Sequence, residues 1–297
     1  MSKRSIVMGM GIGQLYKTVL EKMGHEVITV DPDPAKQAMY PTLLDAVREH
    51  GWFDTAHVCT PNHTHAELAQ ILADCSKMVF VEKPGVKSYT DWAQLAVMFK
   101  TTRMMMVKNN MWREKITGLR ELVKQAKTIN INWINKDRVP SPGSWFTTKE
   151  LAYGGVSRDL MPHLLSLFIV LEPDYFDATE TGRVFEKRWS LEDLTNTEYG
   201  TVNPDGVYDV DDFCNISFHV NGKNWNLTAD WRSMTEDKRN IEFIMPSGHI
   251  VGYELGLCPE QAYEDMLKEC IESYTKGEFW TEHLKHDLWI HRMMEKQ

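Results

Sequence analysis

The sequence predicts a two-domain α/β protein, with a Rossmann-type nucleotide-binding domain over residues 1–120. An α+β domain with a largely antiparallel, open-faced sheet is predicted over residues 121–297. Apolar runs and helical patterns alternate through the first third of the chain, and a glycine-rich segment follows the first apolar run. The pattern later changes to alternating apolar and polar residues. The length of 297 residues also exceeds one domain of about 100–200 residues.

The N-terminal elements are predicted in a fixed order. Strands are expected at 5–10, 26–30, 56–59, 78–82 and 104–108, and helices at 15–23, 43–50, 65–73 and 90–99. Strands separated by helices form parallel sheets through right-handed crossovers. We therefore expect one parallel sheet in this domain.

The C-terminal half is predicted to be rich in β-structure. Its strands are expected at 129–134, 183–189, 213–220, 224–231 and 240–245, with helices at 158–170 and from 261 onward. Trp225, Trp231 and Phe243 belong to these strands, so the face that carries them must be covered by helices or by a second subunit. A homodimer or homotetramer formed through this sheet is the expectation.

Charge and cysteine content exclude several classes of protein. The formal net charge of -9 disfavours binding to nucleic acid or to anionic membrane surfaces. The longest later apolar run is far shorter than a membrane helix of about 20 residues. Five widely spaced cysteines without a Cys-x-x-Cys pair favour reduced thiols and a cytoplasmic location.

No metal site is predicted. His63 and His65 are two residues apart, and no carboxylate or cysteine completes a zinc-binding set with them. His283, His286 and His291 are expected on an amphipathic C-terminal helix, as solvated side chains.

The glycine-rich segment indicates a dinucleotide site. Gly9, Gly11 and Gly13, with Ile12 between the last two, lie where the first strand turns into the first helix, so the backbone can approach a pyrophosphate. The usual third glycine would stand at position 14, which is Gln14 here, and a plain structural turn is the alternative.

Asp31 supports the dinucleotide interpretation. It ends the second strand about 20 residues after the glycines, where a carboxylate accepts hydrogen bonds from the adenosine ribose and repels a 2′-phosphate. NAD(H) is therefore favoured over NADP(H). The alternative is an Asx turn in the Asp31-Pro32-Asp33-Pro34 segment.

Three further motifs carry a family resemblance. They are Thr60-Pro61-Asn62-His63-Thr64-His65, then Glu82-Lys83-Pro84-Gly85, and later the segment from Gly154-Gly155 through Asp159 to His163. In this order they resemble the glucose-fructose oxidoreductase, inositol dehydrogenase and MocA (Gfo/Idh/MocA) family. The resemblance implies that Lys83, Asp159 and His163 are catalytic, and that the cofactor is lined by Thr60, Pro61, Asn62, His65, Glu82 and Lys83.

The chemistry of these residue types agrees with such roles. Asp159 and His163 are four residues apart and are expected on one helix face. A histidine can exchange the hydroxyl proton while hydride moves to nicotinamide, and Lys83 can stabilise alkoxide character on the same oxygen. Substrate contacts are also expected from Asn109, Trp145 and Arg158. For Trp145 core packing is the alternative, and for Arg158 a structural ion pair.

The predicted function is an NAD(H)-dependent oxidoreductase acting on a secondary alcohol or ketone. The resemblance implies a sugar, a cyclitol or a derivative as the small-molecule substrate. One alternative is a non-catalytic sensor that binds dinucleotide without turnover. Another is a dinucleotide-dependent imine reductase, or a glycosidase that works through transient oxidation.

Overall fold

The computed structural model describes residues 3–99, 101–196 and 199–295. The chain divides into two compact units. The first unit comprises Met1–Asn109 together with Pro259–Glu295, and the second comprises Asn110–Cys258. The sequence prediction differs here, because it assigned every residue after 120 to the second domain.

The first unit is built on a five-stranded parallel sheet with the order β2-β1-β3-β4-β5, which confirms the Rossmann prediction. The strands are β1 (Arg4–Met8), β2 (Glu26–Val30), β3 (Phe53–Val58), β4 (Ser76–Val81) and β5 (Arg103–Met106). The connecting helices are α1 (Gly13–Lys22), α2 (Leu43–His50), α3 (His65–Ala73) and α4 (Tyr89–Met98). The strands are almost wholly buried, as expected for a sheet with helices on both faces.

The last two helices of the chain complete this first unit. They are the helices Glu260–Glu272 and Gly277–Met294, of which the former packs against α1 and the latter against α4 and β5. Trp280 and Ile290 of the last helix are buried. Apolar periodicity predicted the helical structure but could not identify the surface that it would cover.

The second unit contains a six-stranded sheet. Its elements in chain order are α5 (Arg120–Gln125), β6 (Thr128–Ile134), α6 (Lys149–Ala152), α7 (Val156–Asp159), α8 (Met161–Leu171), β7 (Thr179–Glu186), β8 (Phe213–Val220), β9 (Lys223–Asp230), β10 (Lys238–Ile244) and β11 (Ile250–Glu254). The two helices of the first unit that follow are α9 (Glu260–Glu272) and α10 (Gly277–Met294). The sheet order is β11-β10-β6-β9-β8-β7, antiparallel except between β6 and β9, which confirms a largely antiparallel sheet.

Helix α8 covers the aromatic face of this sheet. Trp225, Trp231 and Phe243 are all buried, and Phe168 of α8 packs edge-on against Trp225 with ring centroids 4.9 Å apart. The opposite face carries a row of hydrogen-bonded polar side chains, among them Asn226, whose amide donates to Asn130. The aromatic residues therefore give no argument for a second subunit, and oligomerisation through this sheet stays a prediction.

The helix predicted over 158–170 is interrupted. Helix α7 ends at Asp159 and α8 starts at Met161, with Leu160 between them. Pro162 lies in the first turn of α8, where its missing N–H is tolerated but a continuous helix is not. Asp159 and His163 thus belong to consecutive helices. Among the described residues, no helix combines the length and the apolar character that crossing a membrane requires.

Candidate functional site

In the glycine loop of the first unit, a side chain would fit at Gly11 but would collide with neighbouring atoms at Gly9 and Gly13. Gly9 has a φ of +84°, and a Cβ there would lie 2.6 Å from the Cys59 carbonyl oxygen. A Cβ on Gly13 would lie 2.9 Å from Val7 Cγ1, so packing requires both glycines. Gly11 is exposed and would meet no atom within 4 Å. Space for a ligand therefore remains in front of Gly11, at the start of α1.

Asp31 ties this loop to the end of β2. Its Oδ2 accepts a hydrogen bond from the Met10 backbone N–H at 2.7 Å, and its Oδ1 accepts one from Asp33 N–H at 2.9 Å. The bond from Asp33 N–H to Asp31 Oδ1 is that of an Asx turn, so the turn named as the alternative does form. Each carboxylate oxygen has a second lone pair, however, so these bonds do not prevent the half-buried carboxylate from accepting ribose hydroxyls.

His65 holds two loops that follow neighbouring strands. Its ring is buried, with Nδ1 2.7 Å from the Gly85 carbonyl oxygen and Nε2 2.8 Å from the Thr60 carbonyl oxygen. Burial lowers the pKa of His65, against the effect of these two carbonyl contacts, and a neutral ring donates to only one of them. The buried His65 side chain therefore supports these loops from the protein interior, whereas the sequence predicted that it would line the cofactor. Thr60 and Pro61 are half-buried, whereas Asn62 is buried.

The Glu82-Lys83 pair divides into a buried and a partly exposed side chain. Glu82 accepts a hydrogen bond from the Tyr16 hydroxyl at 2.6 Å, and burial, followed by this carboxylate, raises the pKa of Tyr16. Lys83 is half-buried, and the peptide bond to Pro84 is cis. Lys83 is therefore the member of the pair whose side chain is the more accessible.

Helix α10 supports the segments that follow β4 and β5. His291 Nδ1 donates to the Asp287 carbonyl oxygen at 2.7 Å, and its Nε2 accepts the Val86 N–H at 3.3 Å. The Asp287 carboxylate accepts the Met106 N–H at 3.0 Å and pairs with the buried Lys108 ammonium. Sequence analysis missed these contacts.

The three histidines of α10 are not solvated, contrary to the prediction. The relative exposures are 6% for His283, 6% for His286 and 0% for His291. The prediction failed because α10 packs on the first unit through the face that carries them. Within the described ranges, no three histidine, cysteine or acidic side chains are grouped so that they could hold a metal ion.

In the second unit, Asp211 holds the Gly154-Gly155 segment at the start of α7. The Asp211 carboxylate accepts the Ser157 N–H at 2.8 Å and the Ser157 hydroxyl at 3.0 Å. A Cβ on Gly155 would collide with the Asp211 carbonyl group. The glycine pair therefore permits a close backbone approach that sets the start of the helix pair carrying Asp159 and His163.

The His163 ring contacts two side chains of the second unit. Its ring is half-buried and stacks on Trp133 with centroids 5.2 Å apart, and the Asn110 amide nitrogen lies 2.9 Å from its Nδ1. Arg113 Nε donates to the Asn110 side-chain oxygen Oδ1 at 2.7 Å. Neither Asn110 nor Trp133 was a sequence candidate, although Asn110 adjoins the predicted Asn109, which is itself buried.

The remaining predicted substrate residues differ in accessibility. Asp159 is half-buried, and its Oδ2 accepts the Trp231 indole N–H at 2.9 Å. Trp145 is half-buried and packs against Phe146 with centroids 4.3 Å apart. Arg158 is only 6% exposed, which favours a packing role over direct contact with substrate.

One family model and one curated relative match part of the chain, and solved structures match nearly all of it. Residues 17–109 match the family model described as "Oxidoreductase family, NAD-binding Rossmann fold" (Gfo/Idh/MocA). A curated relative from Amycolatopsis mediterranei (strain S699), named "Putative UDP-kanosamine synthase oxidoreductase subunit", is 32% identical over 193 residues. That match covers 59% of this chain and 54% of the relative, so the chain spans about half the relative's length.

Solved structures share the fold of nearly the whole chain. GenD2 from gentamicin A biosynthesis, in complex with NAD, has a TM-score of 0.75 at 17% identity, over 99% of this chain and 92% of its own. Levoglucosan dehydrogenase with NADH and levoglucosan has 0.73 at 12%, over 98% and 95%. A myo-inositol dehydrogenase from Corynebacterium glutamicum has 0.73 at 14%, over 99% and 95%. At these identities the likeness establishes the fold alone.

Proposed function

We propose that this protein, which carries the nucleotide-binding domain of the Gfo/Idh/MocA oxidoreductase family, is an NAD(H)-dependent oxidoreductase. Its reaction is hydride transfer between nicotinamide and a secondary alcohol or ketone of a sugar, a cyclitol or a derivative. The glycine loop carries the proposal, because Gly9 and Gly13 are required by packing while Gly11 faces open space. Gly11 is exposed and lies just before α1, where the backbone of a dinucleotide-binding loop approaches the pyrophosphate.

Asp31 supports NAD(H) over NADP(H). Its carboxylate follows β2 and is bonded to the same loop through Met10 N–H. A negative charge at this position repels a 2′-phosphate, whereas its free lone pairs accept the ribose hydroxyls of NAD.

The proposed residue roles follow the motifs. By the family resemblance, His163 is the acid/base at the substrate oxygen, Lys83 polarises that oxygen, and Asp159 orients the substrate. The partial exposure of all three side chains is compatible with contact to a small molecule. Asn109 is buried and Arg158 nearly so; we therefore give them supporting roles, and keep Trp145 as a wall of the substrate site.

The named relatives support a carbohydrate-like substrate. Their names include levoglucosan and myo-inositol dehydrogenases, and a Bordetella pertussis dehydrogenase, WlbA, was solved with NADH and UDP-GlcNAcA. We propose the shared chemistry, a ring carbon bearing a hydroxyl group, as the target of this protein.

The cofactor is tested by titrating the protein with NADH and NADPH and following energy transfer from tryptophan. Asp31→Asn keeps an oxygen that can accept the Met10 N–H but removes the charge. We expect tight NADH binding, weak NADPH binding, and a smaller preference in the variant. Absence of binding for both nucleotides would contradict the proposal.

The reaction is tested by screening polyols and sugars for NADH formation, with Lys83→Ala and His163→Ala as controls. Binding without turnover across the screen would favour a sensor. Substrate conversion without a net change in NADH would favour transient oxidation.

A further inference from the structure

The guanidinium of Arg113 is held in one orientation within the second unit. It is 8% exposed, and its terminal nitrogens donate to the carbonyl groups of Leu255 and Gly256, the latter at 3.2 Å. A guanidinium has only donors, so its buried Nε–H also needs an acceptor. That acceptor is the Asn110 side-chain oxygen at 2.7 Å.

Arg113 thereby sets the orientation of the Asn110 amide. The Asn110 side chain is wholly buried, and a flipped amide would turn its NH2 group toward the Arg113 Nε–H. With the oxygen on Arg113, the NH2 group lies 2.9 Å from His163 Nδ1. The Nδ1 atom must then accept this hydrogen bond and carry no proton.

Other groups around His163 bear on its charge. Asn110 is unfavourable to an imidazolium, because a proton on Nδ1 would face the amide hydrogens. The Arg239 guanidinium lies 4.2 Å from the Trp133 ring centroid, and Trp133 stacks on His163. Asp159, four residues earlier, is the acidic group in the same segment, and its Oδ2 accepts the Trp231 indole N–H at 2.9 Å.

We propose that Arg113 and Asn110 hold the neutral His163 ring with its proton on Nε2. His163 then donates a hydrogen bond to the substrate oxygen and does not take the proton of an alcohol. This revises the acid/base role that the family resemblance implies for His163, and it rests on the proposed function for the identity of that oxygen. Asn110 and Arg113 are positioning residues, since they act through His163.

The tautomer changes the expected proton route. A bound nicotinamide would supply the hydride for ketone reduction, and the Nε2–H group of His163 would stabilise the negative charge that develops on the substrate oxygen. A second group supplies the proton that forms the O–H bond. The Lys83 ammonium is the donor proposed for this step, in which it becomes the amine as the alcohol O–H bond forms.

The tautomer can be measured by nitrogen-15 NMR of histidine side chains at about pH 8, above the ordinary histidine pKa of about 6.5. The chain has 11 histidines, so His163→Gln identifies the His163 signals. Asn110→Asp replaces the amide by a carboxylate, which only accepts. Asn215→Asp, on β8, makes the same chemical change elsewhere in the second unit.

We expect wild type and Asn215→Asp to show the proton on Nε2, and Asn110→Asp to show a protonated Nδ1. A wild-type proton on Nδ1, or identical His163 signals in wild type and Asn110→Asp, would overturn the proposal. Far-ultraviolet circular dichroism confirms that each variant is folded. The measurement needs neither cofactor nor substrate, so its failure is distinguishable from failure of the proposed function.

Discussion

Alanine substitutions at Gly9 and Gly11 should separate folding from cofactor binding. Gly9→Ala places a side chain at a φ of +84°, which costs about 1–2 kcal/mol, and adds a 2.6 Å contact with the Cys59 carbonyl oxygen. We expect the free energy of unfolding to fall by at least about 2 kcal/mol. A Cβ at Gly11 would meet no atom within 4 Å, and the Gly11 backbone is not left-handed. The free energy of unfolding of Gly11→Ala should therefore stay within about 1 kcal/mol of wild type.

NADH binding, in contrast to stability, should be clearly weakened in Gly11→Ala. A methyl group in front of the loop keeps the pyrophosphate from the backbone N–H groups, and one charge-assisted hydrogen bond contributes about 1.5–3 kcal/mol. The dissociation constant for NADH should therefore rise about 10- to 100-fold. Urea unfolding and NADH titration measure the two effects on the same samples. Wild-type NADH affinity in Gly11→Ala would refute the assignment of this open position to the cofactor.

Three further changes probe the first unit. Burial lowers the pKa of His57 to about 3 from 6.5, so only the unfolded chain gains this proton and stability is lost as the pH falls below 6.5. The loss between about pH 8 and about pH 5 is about 2 kcal/mol, and urea unfolding at these two pH values should show a smaller loss for His57→Gln. Asp287→Asn leaves the Lys108 ammonium buried without its carboxylate and should lower the unfolding free energy by about 3–5 kcal/mol, whereas Asp287→Leu combined with Lys108→Met should restore most of it. His291→Ala removes the acceptor of Val86 N–H, so amide hydrogen exchange at Val86 should become faster; unchanged exchange would mean that α10 does not hold this turn.

Local patterns predicted most of the elements. The bounds of β2, α2, α3 and β8 agree with the sequence prediction, because each has a clear period and adjacent turn residues. Strand β11 was not predicted, since its five residues form a short edge strand with Gly252 at the centre. The break at Leu160 was missed although Pro162 signals it, because the surrounding apolar run was read as one helix.

The candidate site was predictable where its residues lie next to each other in sequence. The glycine loop, Asp31 and Lys83 each follow a strand, and position after a strand is a local property. Asn110 and Arg113 could not be assigned to His163 in this way, because 53 residues separate Asn110 from His163. A buried amide in a helical turn has no sequence signal for the partner that it will orient.

The sequence by itself determined the fold class, the parallel order of strands and helices, and the motifs with their residue types. These depend on periodicity and turn chemistry, which act over a few residues. Only the tertiary structure decided that α10 belongs to the first unit, that α8 covers the aromatic face, and that His163 meets Asn110. Such pairings depend on which surfaces exclude water together and on which buried donor finds an acceptor, and both are settled between segments far apart in the chain.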